Sequence, residues 1–574
     1  MKQLRCSMLF CIQTMAIITL IGIIGCGPSR HLTSQDIRWV DDDRYRVPQP
    51  PQKRDPNYTW DYFHRSFFYP VDRFLNPLRR LGSNDAANTN ALGEVPDSSW
   101  YTNRHAHKRM TVSELVRGPN RGTGPDTSDV WTIVRSKTQG VTPGFDIRDQ
   151  KGNVYVIKFD PIDHPEMATA AEAISTLFLY AAGYNTPENY IVHFDPEILV
   201  IGEGTRVTDH KGRKRQMTKV DLQEILARIS HRPDGTIRAL ASKFISGRPI
   251  GPFSYISRRK DDPNDIYHHR NRRELRGLKV VASFLNHVDI KGLNTHDFYV
   301  TENGTSYVKH YLLDFGATLG SASTHSHNAA TGHEHSFDVP KLLKSLFTLG
   351  LLGKPWDKSK TMEHPAIGFF EADTFHPGKW KESYTNAAFL EMTDQDAYWG
   401  AKIVMSFTPD EIRALVKQGQ YSNPEVEKYI ADTLIKRRDK IGRYWFSKVN
   451  PLDRFAFKFK TVSENVKLSF TDLGIDGGLW QPARYYYELR HYKSNQEVDS
   501  GMLIKKTEIP ISAEVLSSMN SFVSGKSADD ENRYFYYQMK TERDQKLSKD
   551  VRIYLYFGEE GIDKLKIVRL ERES

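Results

Sequence analysis

The stretch that most constrains this 574-residue chain is a pair of strand-like runs folded about one dipeptide. Asp297-Phe298-Tyr299-Val300 and Ser306-Tyr307-Val308-Lys309-His310-Tyr311-Leu312-Leu313 flank Glu302-Asn303-Gly304. An Asn-Gly between β-patterned segments is the strongest short hairpin signal, because both residues tolerate positive φ. A hairpin brings its ends together. Here the ends are Asn294, which closes the loop His287-Val288-Asp289-Ile290-Lys291-Gly292-Leu293-Asn294, and the triplet Asp314-Phe315-Gly316. An amide and a carboxylate far apart in sequence are thereby expected at one cation site, with the Asp289 carboxylate on the same loop.

Upstream, the pattern is strand-rich. Val130–Val134, Phe145–Arg148 and Val154–Phe159 read as strands, with a loop from Gly140 to Gly144 and a turn at Gln150–Asn153 between them. Pro165–Ala182 places small or apolar residues at the spacing of one helix face and stops at Gly183. Glu172 lies on a different face lined by Ala168, Thr169, Ser175 and Thr176. Small residues let a helix approach a sheet closely, so Glu172 can meet Lys158 on the third strand, although a solvent-facing charge fits the spacing equally well. Glu166 competes, but at a helix start an acid simply suits the dipole. Asn189–Phe194, Ile198–Ile201 and Ile237–Ile245 continue as strands, and Lys219–Ile229 as a helix. After the break at Ser246-Gly247-Arg248-Pro249, helices are expected over Arg273–His287, Phe337–Leu352, Asp394–Met405, Thr408–Gly419 and Pro424–Phe446. From Asn450 the period switches to two, so a β-sandwich-like region is expected over 450–574. Its Tyr485-Tyr486-Tyr487 and Tyr534-Phe535-Tyr536-Tyr537 runs read as core with one wet edge, in preference to a carbohydrate- or protein-binding face.

The N-terminus has Lys2 and Arg5, an apolar run from Met15 to Ile24, and Gly25 before Cys26. This reads as a secretory signal over 1–25. A transmembrane anchor is the alternative, but the run is short for a span. All three cysteines, Cys6, Cys11 and Cys26, fall in this segment, so the remainder has no disulfide, thiol nucleophile or Cys-based zinc site. Residues 26–57 read as a linker, and 58–129 as an extension whose aromatics (Trp60, Tyr62, Phe63, Phe67, Phe68, Tyr69) cover the region after it. The net charge of +9 is mild and no long basic tract appears, which argues against nucleic acid as a partner. His268-His269-Arg270-Asn271-Arg272-Arg273 is expected to be a solvated helix face. His325, His327, His333, Glu334 and His335 sit among small polar residues and read as a polar loop rather than a transition-metal site.

Lys158, Glu172, His287, Asp289, Asn294, Asp314 and Gly316 occur in the order of the protein kinase-like superfamily, and the stretch from about Val130 to Phe446 resembles its atypical bacterial and secretory-pathway branches. Ile23-Ile24-Gly25-Cys26 similarly resembles a bacterial lipobox, which implies acylation at Cys26. The resemblance implies an α+β fold: a two-lobed kinase-like domain with a β-rich lobe over 130–247 and a helical lobe over 248–447, followed by the β-sandwich-like domain. It further implies Mg2+ and ATP or another nucleotide between the lobes. Lys158, Gly140 and Gly144 would contact phosphates, Glu172 would support Lys158, Asp289 would orient the acceptor hydroxyl, and Asn294 and Asp314 would bind metal. The chain departs from the family in its sparse glycine loop, in Val288 where arginine is usual, and in lacking a recognisable Ala-Pro-Glu segment. Two functions follow as expectations: a membrane-anchored phosphotransferase of the cell envelope acting on a hydroxyl acceptor, or a kinase-fold binding or scaffolding lipoprotein. Export sets the scarcity of ATP outside the inner membrane against the first. An intact set of polar pocket residues favours it, because buried charges without a ligand cost stability.

Overall fold

The computed structural model describes residues 32–41, 43–75, 85–136, 144–208, 213–336, 354–459, 466–558 and 565–574. Cys26, Gly140 and the helix expected over Phe337–Leu352 lie outside the described residues. No helix among the described residues is long and apolar enough to cross a membrane.

The first layer is a six-stranded sheet. Its strands are β1 (Trp131–Ser136), β2 (Gly144–Arg148), β3 (Val154–Phe159), β4 (Asn189–Phe194), β5 (Leu199–Ile201) and β6 (Ile237–Lys243), in the order β4-β6-β3-β2-β1-β5. All neighbours are antiparallel except β1 and β5. Alternate residues of these strands, including Trp131, Ile133, Phe145, Ile147, Ile157 and Phe159, fill one apolar core. Along another side lies helix α1 (Met167–Ala181), buried along almost its whole length. Its first turn is capped by Asp160, whose Oδ1 accepts from the Ala168 and Thr169 amides at 2.8 and 2.9 Å.

A helical layer follows, built on α2 (Arg273–Leu285), α3 (Asp394–Ser406) and α4 (Pro424–Phe446). Local signals define their starts: Thr393 and Asp396 form a capping box for α3, while Asn423 caps α4 with Pro424 at the first helical position. Between the layers runs the hairpin of β7 (Thr295–Glu302) and β8 (Thr305–Leu312), paired in register from Thr295↔Leu312 to Glu302↔Thr305. Asn303 and Gly304 have φ of 51° and 78°, the left-handed pair that the Asn-Gly turn requires.

Beyond α4 the chain forms two antiparallel sheets. Leu452–Lys458, Val466–Asp472 and Glu508–Ile511 make one, and Glu497–Ile504, Arg484–His491, Tyr534–Arg543, Val551–Phe557 and Leu565–Arg572 make the other. They share one apolar core, into which the helix Ala513–Val523 also inserts Met519 and Val523. Tyr485, Phe535 and Tyr537 are fully buried there, whereas Tyr486 stays wet. This region is tied to the helical layer: Lys402 of α3 reaches Asp453 at 2.8 Å, and Arg572 lies 4.8 Å over the Tyr398 ring.

Two expectations are corrected. His269, Arg272 and Arg273 of the basic patch are not a solvated face but are buried. His269 and Arg272 share Asp265 at 2.6 and 3.1 Å, and Arg273 pairs with Asp396 at 3.0 Å, so one nearby and one distant carboxylate offset the desolvation. The aromatic rings of Tyr58–Leu75 cover a neighbour only in part: Tyr62 packs edge-on against Tyr384 at 5.4 Å, while Trp60, Tyr62, Phe63, Phe67 and Phe68 remain 40–60% exposed. This helical segment instead buries Arg65 and Ser66, with Arg65 stacked 5.0 Å over the Tyr384 ring.

The cover comes from Val95-Pro96-Asp97-Ser98-Ser99-Trp100. Trp100 stacks on His310 of β8 at 3.5 Å and is flanked by Phe253, His269 and Arg272. The Ser99 amide and hydroxyl donate to Asp43 at 2.9 and 2.6 Å, so part of the segment expected to be a linker lies along the fold.

Candidate active site

Lys158 occupies the fifth position of β3, directly across the ladder from Gly144, the first residue of β2. Its Nζ donates to Glu172 Oε1 at 2.6 Å and to Asp314 Oδ1 at 3.0 Å. The two carboxylates differ in setting. Glu172 is almost completely buried in α1, whereas the Asp314 side chain is 54% exposed. Burial alone would depress the Lys158 ammonium, but Asp314 and Glu172 outweigh it and hold its pKa above the usual lysine value. The rival acid, Glu166, is spent elsewhere, accepting from the Ser422 amide and hydroxyl at 2.9 and 3.1 Å.

Asp314 has φ of 62°, a left-handed conformation that aspartate tolerates better than most residues. The turn it opens is locked onto α1: Thr318 Oγ1 lies 2.7 Å from Ser175 Oγ, and also donates to the Phe315 carbonyl at 2.8 Å. Gly316 is closely packed: a Cβ there would sit 3.0 Å from Ser323 Oγ and 3.4 Å from Glu172 Oε2, the first a tight approach and the second ordinary contact.

The hairpin delivers the other half of the site. The Leu313 amide donates to the Asn294 carbonyl at 2.9 Å, which places Asn294 beside the residue preceding Asp314. Asn294 Nδ2 donates to the Asp289 carbonyl and to Asp289 Oδ2 at 2.8 and 3.1 Å. Lys291 Nζ meets both Asp289 carboxylate oxygens, at 3.0 and 2.7 Å. Sequence reasoning passed over Lys291. The signal was its place two residues after Asp289 in the same loop.

His287 sits beneath this loop, buried, with its ring 5.9 Å from that of Phe315 and its Nδ1 without a hydrogen-bond partner. Burial lowers its pKa from 6.5 to about 4, against the opposing pull of the Asp289 charge. The native ring is therefore neutral where the unfolded one is protonated. Its contribution to stability is complete above pH 6.5 and is lost as pH falls toward 4, by about 3 kcal/mol. Replacing His287 with glutamine should flatten the acid limb of stability against pH over that window; unchanged slopes would show that the ring titrates normally.

The histidines after Phe315 do not converge. His333 stacks on Trp356 at 4.7 Å, His335 Nδ1 lies 2.7 Å from the Glu382 carbonyl, and the His327 amide donates to Gly320. Among the described residues no three His, Cys, Asp or Glu side chains stand close enough to hold a metal ion.

No protein-family model matches the sequence, and no curated protein matches it. Solved structures are similar to it at low scores. A Helicobacter pylori proinflammatory kinase, CtkA, matches at 10% identity with a TM-score of 0.28, covering 55% of this chain and 98% of that one. A structure of the Golgi casein kinase matches at 10% identity and a TM-score of 0.24, covering 59% and 77%. The Golgi casein kinase with Mn/ADP bound matches at 10% identity and a TM-score of 0.25, covering 69% and 95%.

Proposed function

We propose that this chain is a kinase-like phosphotransferase that moves a phosphoryl group from a nucleotide to a hydroxyl acceptor, and that it works in the cell envelope, anchored through an acylated Cys26. The observation that carries the reading is the Lys158 ammonium bridging Glu172 and Asp314, with Asn294, bonded to Asp289, held beside Leu313 at the hairpin root.

Each group has a chemical task in this reading. Lys158 has three N–H donors; Glu172 and Asp314 hold two, the third is available to a phosphate oxygen, and a second is released if Asp314 turns to a cation. Asp289 is oriented by Lys291 and Asn294, and its remaining lone pairs accept the proton side of an acceptor hydroxyl. Lys291, next to that carboxylate, adds positive charge where an incoming phosphoryl oxygen would lie.

The donor set suits a hard divalent cation, for which we propose Mg2+. Asp314 offers an exposed carboxylate, and Asn294, whose amide nitrogen is committed to Asp289, leaves its amide oxygen. A cation that takes one or two protein oxygens and completes its shell with phosphates and water needs no three-acid cage, consistent with the dispersed acids here. When bound, it would neutralise phosphate charge. Asp314 would then exchange Lys158 for the cation.

The test is a titration of the purified full chain with nucleotides, with and without Mg2+, read as thermal stability. A gain that requires both is expected. No gain with any nucleotide would leave a kinase-fold binding lipoprotein as the better reading.

A further inference from the structure

A cleft of about 840 Å³ opens beside the break that follows β6, and none of its lining residues belongs to the site described above. Its walls come from four parts of the chain: the segment preceding β1, the end of α1, the break itself and the β7–β8 hairpin. Its acids and bases are unequal in a particular way. Glu188 already accepts from the Arg121 amide at 3.1 Å and the Tyr190 hydroxyl at 2.5 Å. Glu302 is held by Lys309 at 2.7 Å and by the Tyr307 hydroxyl. Glu302 is thus paired with a cation, whereas Glu188 hydrogen-bonds only neutral donors among the described residues and keeps its charge.

Of the five cations, Lys309 is paired with Glu302 and Arg104 donates to the Tyr180 and Tyr184 carbonyls. Arg121, Lys243 and Arg248 line the same cleft, and their side chains make no hydrogen bond or ion pair with the described residues. Five bases against two acids leave the cleft lining with an excess of three positive charges. The positive potential of a concave surface is focused toward its interior, where a multiply charged anion relieves it. The partly buried rings of Tyr180 and Tyr311 also line the cleft, with the Arg104 guanidinium 4.0 Å over that of Tyr180. Guanidinium and ammonium groups suit tetrahedral oxyanions, with arginine binding them in two-pronged fashion.

We propose that this cleft is a binding site for a small polyanion bearing at least two phosphate or sulfate groups, either an oligophosphate or a sulfated sugar. The site bears on the proposed active centre through α1: Tyr180 lies on the same helix as Glu172, about two turns further on. An anion drawn between Arg248 and the end of α1 would restrain the helix that holds Lys158.

The test uses the full chain and two probes, sodium tripolyphosphate and a heparin-derived sulfated tetrasaccharide, each titrated calorimetrically. At least one should bind saturably, and the double variant Lys243→Ala/Arg248→Ala should weaken it at least tenfold. Lys158→Ala should leave that affinity unchanged; preference between the probes identifies the phosphate or sulfate source. Equal affinity in wild type and double variant would overturn the proposal, as would binding by neither probe. Loss of binding in Lys158→Ala would also overturn it, by locating the probe at the proposed nucleotide site. Failure of the phosphotransfer reading registers separately, as the absence of a magnesium-nucleotide thermal gain.

Discussion

Replacing Asp314 by alanine is expected to abolish the magnesium-dependent part of nucleotide stabilisation while leaving the unliganded protein nearly as stable as before. The two effects separate because of where the carboxylate sits. Its side chain is 54% exposed and meets Lys158 at 3.0 Å, so its loss leaves no buried charge alone; Lys158 keeps Glu172 at 2.6 Å. Alanine at φ of 62° adds strain on the order of 1 kcal/mol. Against that small change, a ligand at one hundred times its dissociation constant stabilises a native state by about 2.7 kcal/mol. Phosphoryl transfer should fall about a thousand-fold, the scale seen when one preorganised electrostatic partner is removed. Asp314→Asn serves as the control, since asparagine tolerates the left-handed conformation and removes only the charge; it should lose the same gain. Thermal titration with and without Mg2+ decides the matter. Full metal-dependent stabilisation of Asp314→Ala would remove this residue from the proposed centre.

The second large effect is expected away from the reacting groups. Trp100→Ala empties a space enclosed by His310, Phe253, His269 and Arg272, and truncating a buried tryptophan costs about 3–5 kcal/mol. The loss should concentrate in the β7–β8 hairpin. There His310 Nδ1 lies 2.6 Å from Asp297, which in turn accepts from Arg259 at 2.9 Å. Amide exchange in β8 should accelerate by about two to four orders of magnitude, the kinetic equivalent of that free energy. Nucleotide affinity should weaken with it, because the hairpin root holds Asn294 beside Asp314. Unaltered β8 protection would show that Trp100 contributes only local packing.

The parts legible in the sequence were those set by neighbours along the chain. Asn303-Gly304 encodes a two-residue turn, and the alternation on either side sets the strands, so the approach of Asn294 to Asp314 could be reasoned without coordinates. A helix was expected over Thr408–Gly419, and the structure caps Pro409–Val416 with Thr408 and Glu411, a local capping box. Glu172 was a harder case. Helical spacing allowed it to face either Lys158 or solvent, and the decision came from Thr318 and Ser175 locking α1 against the turn after Asp314.

Burial of charge was not legible. Arg273 looks like any solvent-facing arginine until Asp396, more than a hundred positions away, arrives at 3.0 Å. The aromatic helix at Tyr58–Leu75 misleads for the converse reason. Its rings state that an apolar face exists, not whether another element will cover it. The uncommitted cations of Arg121, Lys243 and Arg248 belong to the same class, since only the fold shows that the bases of one cleft outnumber its acids.

By itself, then, the amino-acid order determined the local geometry: turns through permitted backbone angles, strands and helices through periodicity, and the candidate polar groups through their spacing. Tertiary structure alone decided which charges are paired, which are buried and which are left to attract a ligand. The physical reason is that backbone conformation depends on residues a few positions apart, whereas the energy of a charge depends on every group and every solvent molecule within several ångströms, wherever those groups lie in the chain.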